Sequence, residues 1–230
     1  MIYLTGDTHG DVSRIEEFCE QYETDREDTL IILGDAGINY DGGRRDRAIK
    51  QFLKDLPITL FCIHGNHERR PCTIEGYKEM TWRGGTVYCE DKYPNLLFAK
   101  DGEIFDLDGV TAIVIGGAYS VDKEIRLQHG YGWWPDEQPS DEVKQSVELQ
   151  LDRLGWKVDL VLSHTTPLKY VPTEVFLPGI DQSTVDQSTE IWLDDIEDRL
   201  DYLRWYCGHY HTEKEIDKLV IMYENYEALE

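Results

Sequence analysis

The sequence predicts an α/β fold in which two mixed β-sheets pack face to face with helices on both outer sides, an αββα sandwich of four layers. Two observations lead to this prediction. Early in the chain, short apolar runs alternate with segments of helical period, which is typical of parallel βαβ units. In the middle and at the end, apolar runs follow one another closely, which favours antiparallel strands.

Length and composition limit the possibilities further. With 230 residues, 40% of them hydrophobic and 11% aromatic, the chain can bury a sizeable core, so we expect residues 1–230 to form a single domain. The formal net charge of −23 repels phosphate backbones, so extended nucleic acid is not an expected partner. The same charge favours the binding of divalent cations.

The cysteines and the hydropathy pattern bear on location. Cys19, Cys62, Cys72, Cys89 and Cys207 are odd in number and lie mostly in apolar runs such as "LFCIH", so we expect reduced thiols in the core. No apolar run approaches the roughly 18 residues that span a bilayer, and no charged segment followed by an apolar stretch opens the sequence. We therefore expect a cytoplasmic protein without a membrane partner, and the sequence favours no particular oligomeric state.

Five apolar runs share one feature: each ends in a polar residue, usually after glycine. These runs are "IYLTGD", "LIILGD", "LFCIHGNH", "LVLSHT" and "RWYCGHYH". Each predicts a buried strand that stops at a residue able to bind metal. Other runs predict antiparallel strands, namely "TVYCE", "NLLFA", "EIFDLDG", "TAIVIGG" and the pair "EKEID" and "LVIMYEN", which turns at Asp217 and Lys218.

Four segments have the period of amphipathic helices. Their apolar faces carry, in order, Val12, Ile15, Phe18, Cys19 and Tyr22; Ala48, Ile49, Phe52, Leu53 and Leu56; Val143, Val147, Leu151 and Leu154; and Leu193, Ile196, Leu200 and Leu203. Asp11 is placed to cap the first helix and Ser140 the third. The acidic residues of the fourth segment indicate a solvated helix face.

The polar residues at the strand ends form the candidate site. They are Asp7, His9, Asp35, Asn66, His67, His164, His209 and His211, and they include five of the seven histidines. Taken alone, an Asp after a strand is usually a turn former, and a lone buried His is usually a hydrogen-bonded core residue. Those explanations do not account for the joint placement, because the carboxyl ends of parallel strands meet at one edge of a sheet, where ligands bind.

This set mixes carboxylate, amide and imidazole groups. Such mixtures suit Mn, Fe or Zn, whereas all-oxygen sites suit Mg or Ca. The set is too large for one tetrahedral ion and fits two ions that share a carboxylate. Two ions roughly 3.5 to 4 Å apart clamp a phosphoryl group and generate hydroxide near neutral pH. The sequence therefore points to phosphoester hydrolysis, with two divalent or trivalent transition-metal ions as cofactors.

Five ordered motifs resemble those of the calcineurin-like metallophosphoesterases: "GDTHG", "GD" at 34–35, "GNHE" at 65–68, "SHTTP" at 163–167 and "GHYH" at 208–211. The resemblance implies one metal ion on Asp7, His9 and His211, a second on Asn66, His164 and His209, and Asp35 as the bridge between them. It also implies that a metal-bridging hydroxide attacks phosphorus. His67 resembles the residue that protonates the leaving group.

Two stretches lie outside these motifs. Protein Ser/Thr phosphatases of this superfamily carry Asp-Arg-Gly after the second motif, whereas this chain reads "GDAGINYDGGRRDR". Arg69, which follows the "GNHE" loop, is the arginine nearest in sequence to a proposed ligand and is our candidate for substrate binding. Trp133 and Trp134 fit either a loop over the site or a plug at a hydrophobic edge. We assign no role to His64 and His129.

Three functions are compatible with this pattern. We expect hydrolysis of phosphomonoesters. The alternatives are a phosphodiesterase that acts on nucleotides or cyclic esters, and a non-catalytic scaffold of the same fold. Every matched ligand position is present, as is His67, which disfavours the scaffold.

Overall fold

The computed structural model describes residues 1–176 and 178–229. Its strands are β1 (Ile2–Thr5), β2 (Thr29–Ile32), β3 (Thr59–Cys62), β4 (Tyr77–Trp82), β5 (Gly85–Glu90), β6 (Leu96–Ala99), β7 (Ile104–Leu107), β8 (Val110–Ile115), β9 (Leu160–Ser163), β10 (Arg204–Cys207), β11 (Lys214–Ile216), β12 (Leu219–Ile221) and β13 (Tyr226–Ala228). Its α-helices are α1 (Val12–Tyr22), α2 (Arg44–Asp55), α3 (Lys123–His129), α4 (Asp141–Arg153) and α5 (Ser188–Glu197).

Within the described residues the strands form two mixed sheets. One has seven strands in the order β13-β1-β2-β3-β6-β5-β4, and the other has six in the order β11-β12-β10-β9-β8-β7. The centre of each sheet is parallel: β1, β2, β3 and β6 in the first, and β8, β9, β10 and β12 in the second. Antiparallel strands complete the edges.

The alternation of side chains along the central strands produces the four layers. In β2, Ile31 belongs to the apolar cluster between the two sheets, whereas Leu30 and Ile32 pack with α1 and α2. In β9, Leu162 faces the first sheet and Val161 packs with α4 and α5. Successive strand residues point to opposite faces, so each central strand contributes to two layers. The predicted αββα sandwich is confirmed.

Two of the strands predicted to be antiparallel also have a parallel neighbour. β6 ("NLLFA") lies parallel to β3, and β8 ("TAIVIGG") lies parallel to β9, although each also has an antiparallel neighbour. The predicted antiparallel pairing is therefore confirmed for both strands, and only the additional parallel neighbour was not predicted, because a fully buried strand looks the same in sequence whichever direction its neighbour runs. The hairpin of β11 and β12, with its turn at Asp217 and Lys218, is confirmed. β4 gave no apolar signal, because its side chains are exposed or half-buried.

The four predicted helices are α1, α2, α4 and α5. The side chain of Asp11 accepts a hydrogen bond from the backbone N–H of Arg14, and Ser140 accepts one from Val143, so both caps are confirmed. α5 ends at Glu197, which leaves Leu203 beyond the helix and 64% exposed. Its prediction as an inward-facing helical residue was wrong, because the chain turns away before β10.

The predictions of core thiols and of no membrane span depend on the state of the cysteines and on the length of the apolar helices. All five cysteines are free thiols; four are buried, but Cys72 is exposed and does not belong to the core. Across residues 1–176 and 178–229, no helix is both long and apolar enough to cross a membrane.

Candidate metal centre

The predicted ligands come from the loops that follow five parallel strands. Asp7 and His9 follow β1, Asp35 follows β2, and Asn66 follows β3 in the first sheet. His164 follows β9, and His209 and His211 follow β10, in the second sheet. Because the sheets pack face to face, the carboxyl ends of both sets of strands open onto one site.

One group of residues with potential metal-donor atoms consists of Asp7, His9 and His211. The Nε2 atom of His211 lies 3.2 Å from Oδ2 of Asp7, and Nε2 of His9 lies 3.7 Å from the same oxygen. The two imidazole Nε2 atoms are 2.9 Å apart. Three donor atoms thus converge on one point.

A second group consists of Asn66, His164 and His209. The Oδ1 atom of Asn66 lies 2.8 Å from Nε2 of His164 and 3.0 Å from Nδ1 of His209. His164 is fully buried, and Asn66 is 2% exposed. This group is therefore deeper in the molecule than the first, in which His211 is exposed.

Asp35 lies between the two groups. Its Oδ2 atom is 3.8 Å from Nε2 of His164, in the second group. It also forms a potential metal-binding cluster with Asp7 and His164, and another with His9 and His67. A carboxylate in this position can reach both groups of donors.

Hydrogen bonds to the rest of the protein orient the proposed ligands. Nδ1–H of His164 donates a hydrogen bond to the carbonyl oxygen of Leu33 at 2.8 Å. In the neutral ring, Nε2 therefore carries the lone pair that can bind a metal ion. The amide nitrogen of Asn66 donates to Oγ of Ser120 at 2.9 Å, so its oxygen faces the site.

The two carboxylates are oriented in a similar way. Oδ1 of Asp7 accepts the backbone N–H of His209 at 2.9 Å, and Oδ1 of Asp35 accepts that of His67 at 2.7 Å. In both cases Oδ2 remains directed at the centre. Fixing one atom of each ligand in this manner is typical of protein metal sites.

The electrostatics of the site favour a cation. Burial acts to raise the pKa of Asp7, but the neighbouring imidazoles of His164, His211 and His9 outweigh it and hold that pKa below its ordinary value. Burial lowers the pKa of His9 and places that of His209 well below the usual range. The hydrogen bond to Asp7 raises the pKa of His211. An ionised carboxylate of Asp7 beside the imidazoles of His9 and His209, whose pKa values are lowered, is the donor chemistry that transition-metal ions require.

Backbone conformation also marks this site. His9, Asp35, His209 and His211 have φ values of 50°, 46°, 70° and 48°, in the left-handed region that non-glycine residues seldom adopt. Such residues cost free energy and concentrate at functional sites. Four of the seven proposed ligands therefore occupy unfavourable conformations that the surrounding fold imposes.

Two glycines in the motifs are explained by close packing. A Cβ atom on Gly65 would lie 2.0 Å from Oδ1 of Asp35, and one on Gly208 would lie 2.3 Å from Oδ1 of Asp7. Each glycine precedes one ligand and packs against another. The spacing of glycine and ligand in "GNHE" and "GHYH" thus brings the strand ends close enough to share a site.

His67 lies beside the centre in a network that the sequence did not reveal. Its Nδ1 atom is 3.0 Å from a guanidinium nitrogen of Arg126, and its Nε2 atom is 3.6 Å from Oδ1 of Asp122. Nε of Arg126 donates to both carboxylate oxygens of Asp122, at 2.7 and 2.8 Å. In sequence, Asp122 and Arg126 have only the (i, i+4) spacing of an ordinary helical ion pair, so nothing distinguished them.

Arg69 lies in a different groove. It shares that groove with Tyr40, Tyr131 and Trp134, and none of the proposed metal ligands lines it. Tyr40 connects the groove to the site, because its ring packs edge-on against Trp134 and its hydroxyl lies 3.4 Å from Arg126. Trp134 is therefore placed next to the site's supporting network, in the groove of Arg69, and not among the proposed ligands.

Four other arginines and the two remaining histidines lie apart from the ligands. Arg44, Arg45 and Arg47 are at the start of α2, and Arg70 pairs with Asp101. His64 is buried, and its two ring nitrogens have no hydrogen-bond partner among the residues described. His129 lies at the end of α3.

The comparisons with known proteins agree with this geometry. The model of the calcineurin-like phosphoesterase family matches residues 1–218. The chain belongs to the calcineurin-like phosphoesterase family. As a member, it is a metal-dependent phosphoester hydrolase, and the resemblance predicted from the motifs is confirmed. No curated protein gives a significant match to the sequence.

Two solved structures are similar to this phosphoesterase. TT1561 of Thermus thermophilus is 14% identical with a TM-score of 0.52, and the match covers 97% of this chain and 89% of that one. The phosphopantetheinyl hydrolase of Mycobacterium tuberculosis is 15% identical with a TM-score of 0.46, covering 96% and 88% of the two chains. At 14% identity, the similarity to TT1561 shows a shared fold and nothing more.

Proposed function

We propose that the protein hydrolyses phosphomonoesters at a centre of two transition-metal ions. The observation that carries the proposal is the position of Asp35 between two groups of three donors: Asp7, His9 and His211 on one side, and Asn66, His164 and His209 on the other. The mixed donor set suits Mn, Fe or Zn. Bound by these residues, two such ions would supply a hydroxide nucleophile for the phosphorus and would compensate the charge of the phosphoryl group.

His67 is the group that we propose protonates the leaving oxygen. We propose that the imidazolium form of His67 gives its proton to the leaving oxygen and returns to the neutral ring; because a guanidinium can only donate hydrogen bonds, Arg126 then donates to the unprotonated Nδ1 of that ring. Nε2 is the nitrogen nearer to Asp122. Asp122 and Arg126 are thus proposed as positioning residues that fix the ring and its proton.

A monoester is favoured by the space beside the centre. Asp35, Asn66, His209 and His211 line one cavity of about 480 Å³. A monoester has one organic group to place in such a cavity, whereas a diester needs room for two. Arg69 lies outside this lining, so we propose that any contact it makes with substrate is through a group that extends past Tyr40.

Two further observations support the expectations about domain organisation and cellular location. β1 pairs with β13, and the proposed ligands come from both ends of the chain, so we propose that residues 1–230 form one domain. Five free cysteines are compatible with a reducing compartment, and we propose a cytoplasmic location.

A substrate panel tests the function. The protein is loaded with Mn, Fe or Zn and assayed on alkyl phosphates, p-nitrophenyl phosphate, bis(p-nitrophenyl) phosphate and a cyclic nucleotide. We expect metal-dependent turnover with kcat/KM for p-nitrophenyl phosphate at least tenfold above that for the bis ester. A preference for the diesters would establish the phosphodiesterase alternative. Two bound ions with no turnover of any ester would indicate the scaffold.

A further inference from the structure

We propose that the cavity beside the metal centre selects phosphoesters whose organic group is apolar and uncharged. This inference rests on the proposed function, since it assumes that the phosphorus of the substrate lies at the donor groups described above. It adds the class of leaving group, which neither the family nor the donor set specifies.

The cavity is continuous with the centre. Asp35, Asn66, His209 and His211 form one wall, with His67 beside them. An ester whose phosphoryl group is held at these residues therefore projects its organic group into the cavity. The volume of about 480 Å³ lies within the range of about 300 to 1,000 Å³ that is usual for small-molecule pockets.

A second part of the lining is largely apolar. It comes from the connection between β9 and α5, which contributes Val171, Val175, Phe176, Ile180 and Val185, together with the uncharged polar side chains of Gln182 and Gln187. Val121, which follows β8, extends the same surface. Several of these side chains remain accessible: Val121 is 38% and Val175 37% exposed. Apolar side chains gathered around a cavity and left open in this way mark a binding surface for an apolar group.

The charges around the cavity exclude a second anionic group. Within the described part of the chain, no Lys or Arg lines it, whereas Asp122 and Glu190 do. Glu190 is 5% exposed, and its Oε1 accepts a hydrogen bond from the hydroxyl of Thr165 at 2.8 Å. An additional phosphate or carboxylate on the leaving group would find no free cation in the described part of this lining, because the nearby guanidinium of Arg126 is already paired with Asp122. Uncharged aromatic or branched aliphatic groups fit both the walls and the charge.

A matched pair of esters tests the selection. The metal-loaded protein is assayed on 2-naphthyl phosphate, on its 6-carboxylate derivative, and on methyl phosphate as a substrate too small to reach the apolar wall. We expect kcat/KM to be at least tenfold higher for 2-naphthyl phosphate than for the carboxylated ester, with the difference mainly in KM. Equal values for the two naphthyl esters would overturn the proposal.

Variants of the apolar wall locate the effect. Val175→Asp should reduce the ratio of kcat/KM for 2-naphthyl to methyl phosphate at least tenfold. Val175→Lys should instead lower KM for the carboxylated ester, because it supplies the missing cation. Leu203→Asp, at an exposed site outside the cavity, is the control and should change neither ratio. The proposal is wrong if the Val175 variants behave like the control.

A binding measurement separates this proposal from the proposed function. Calorimetry of 2-naphthol against the metal-free protein should show binding that Val175→Asp weakens at least fivefold and Leu203→Asp leaves unchanged. If that result holds but no ester is hydrolysed, the proposed function fails while the cavity's preference stands. If p-nitrophenyl phosphate is hydrolysed but naphthol does not bind, the function stands and the cavity proposal fails.

Discussion

The Nε2 atoms of His9 and His211 lie 2.9 Å apart, although the two residues are 202 positions apart in the sequence. Both nitrogens also lie near Oδ2 of Asp7. Two imidazoles at this distance can share a single proton, or both can direct lone pairs at a cation. The buried carboxylate beside them favours the cation.

The first prediction concerns metal content. Protein reconstituted with Mn should hold about two ions per chain, because Asp35 lies between two groups of three donors. Metal analysis after removal of free ions provides the count. Chelation should also lower the melting temperature, since ions that bind only the folded state stabilise it. One ion or fewer at saturation would contradict the dinuclear interpretation.

The second prediction compares two aspartates. Asp35→Asn should weaken both ion sites and abolish turnover, because the carboxylate can reach both donor groups. Asp11→Asn is the matched control: Asp11 caps α1 through the backbone N–H of Arg14, and Asn is an equally good capping residue. Its metal content and rate should remain near those of the wild type. Equal damage by both substitutions would mean that the carboxylates are wrongly assigned.

The sequence was sufficient for the parts of the molecule that follow strand periodicity. Asp7, Asp35 and His164 could be placed together because apolar runs identify strands, and parallel strands bring their carboxyl ends to one edge. Positions along a strand alternate between faces, so the four layers also follow from pattern. The outcome is a correct fold class and a coherent set of proposed ligands.

Features that depend on packing between distant segments were not predictable. Asp122 and Arg126 reach His67 only because the loop after β8 folds back toward the "GNHE" loop. The apolar cavity wall comes from a connection with no regular period, in which Val171 and Val185 meet only through tertiary folding. Likewise, the direction of β6 depends on which strand it pairs with, and burial alone does not reveal this.

The third prediction distinguishes two arginines. Arg126→Gln should lower the rate by about 10- to 100-fold with metal content preserved, because it removes the guanidinium that holds Nδ1 of His67. Arg69→Gln, in the separate groove, provides the comparison. An increase in KM for Arg69→Gln, with kcat unchanged, would place that residue in substrate binding.

The fourth prediction concerns the support of His164. Trp205 is fully buried, and its Nε1–H donates to Oγ of Ser163 at 2.7 Å, next to that ligand. Trp205→Phe removes this bond and leaves unfilled volume, so the free energy of unfolding should fall by about 2 to 4 kcal/mol. Urea unfolding in the presence of a chelator measures it without a contribution from metal. Leu203→Ala, at an exposed site, should change stability by less than about 0.5 kcal/mol. An unchanged midpoint for Trp205→Phe would show that the bond contributes nothing.

The last prediction isolates His67. Its backbone N–H orients Asp35, but its ring is held by Arg126 and Asp122, so His67→Ala should retain close to two ions. Proton donation to a leaving group usually contributes about 10² to 10⁴ in rate, and it matters most when that group is a poor one. An alkyl phosphate should therefore lose much more rate in this variant than p-nitrophenyl phosphate, whose phenolate departs without a proton. Equal losses for the two esters, with both ions retained, would exclude the acid role. The side chain of His67 would then act by positioning the substrate or by its electrostatic effect on the phosphoryl group, since His67→Ala keeps the backbone N–H that orients Asp35.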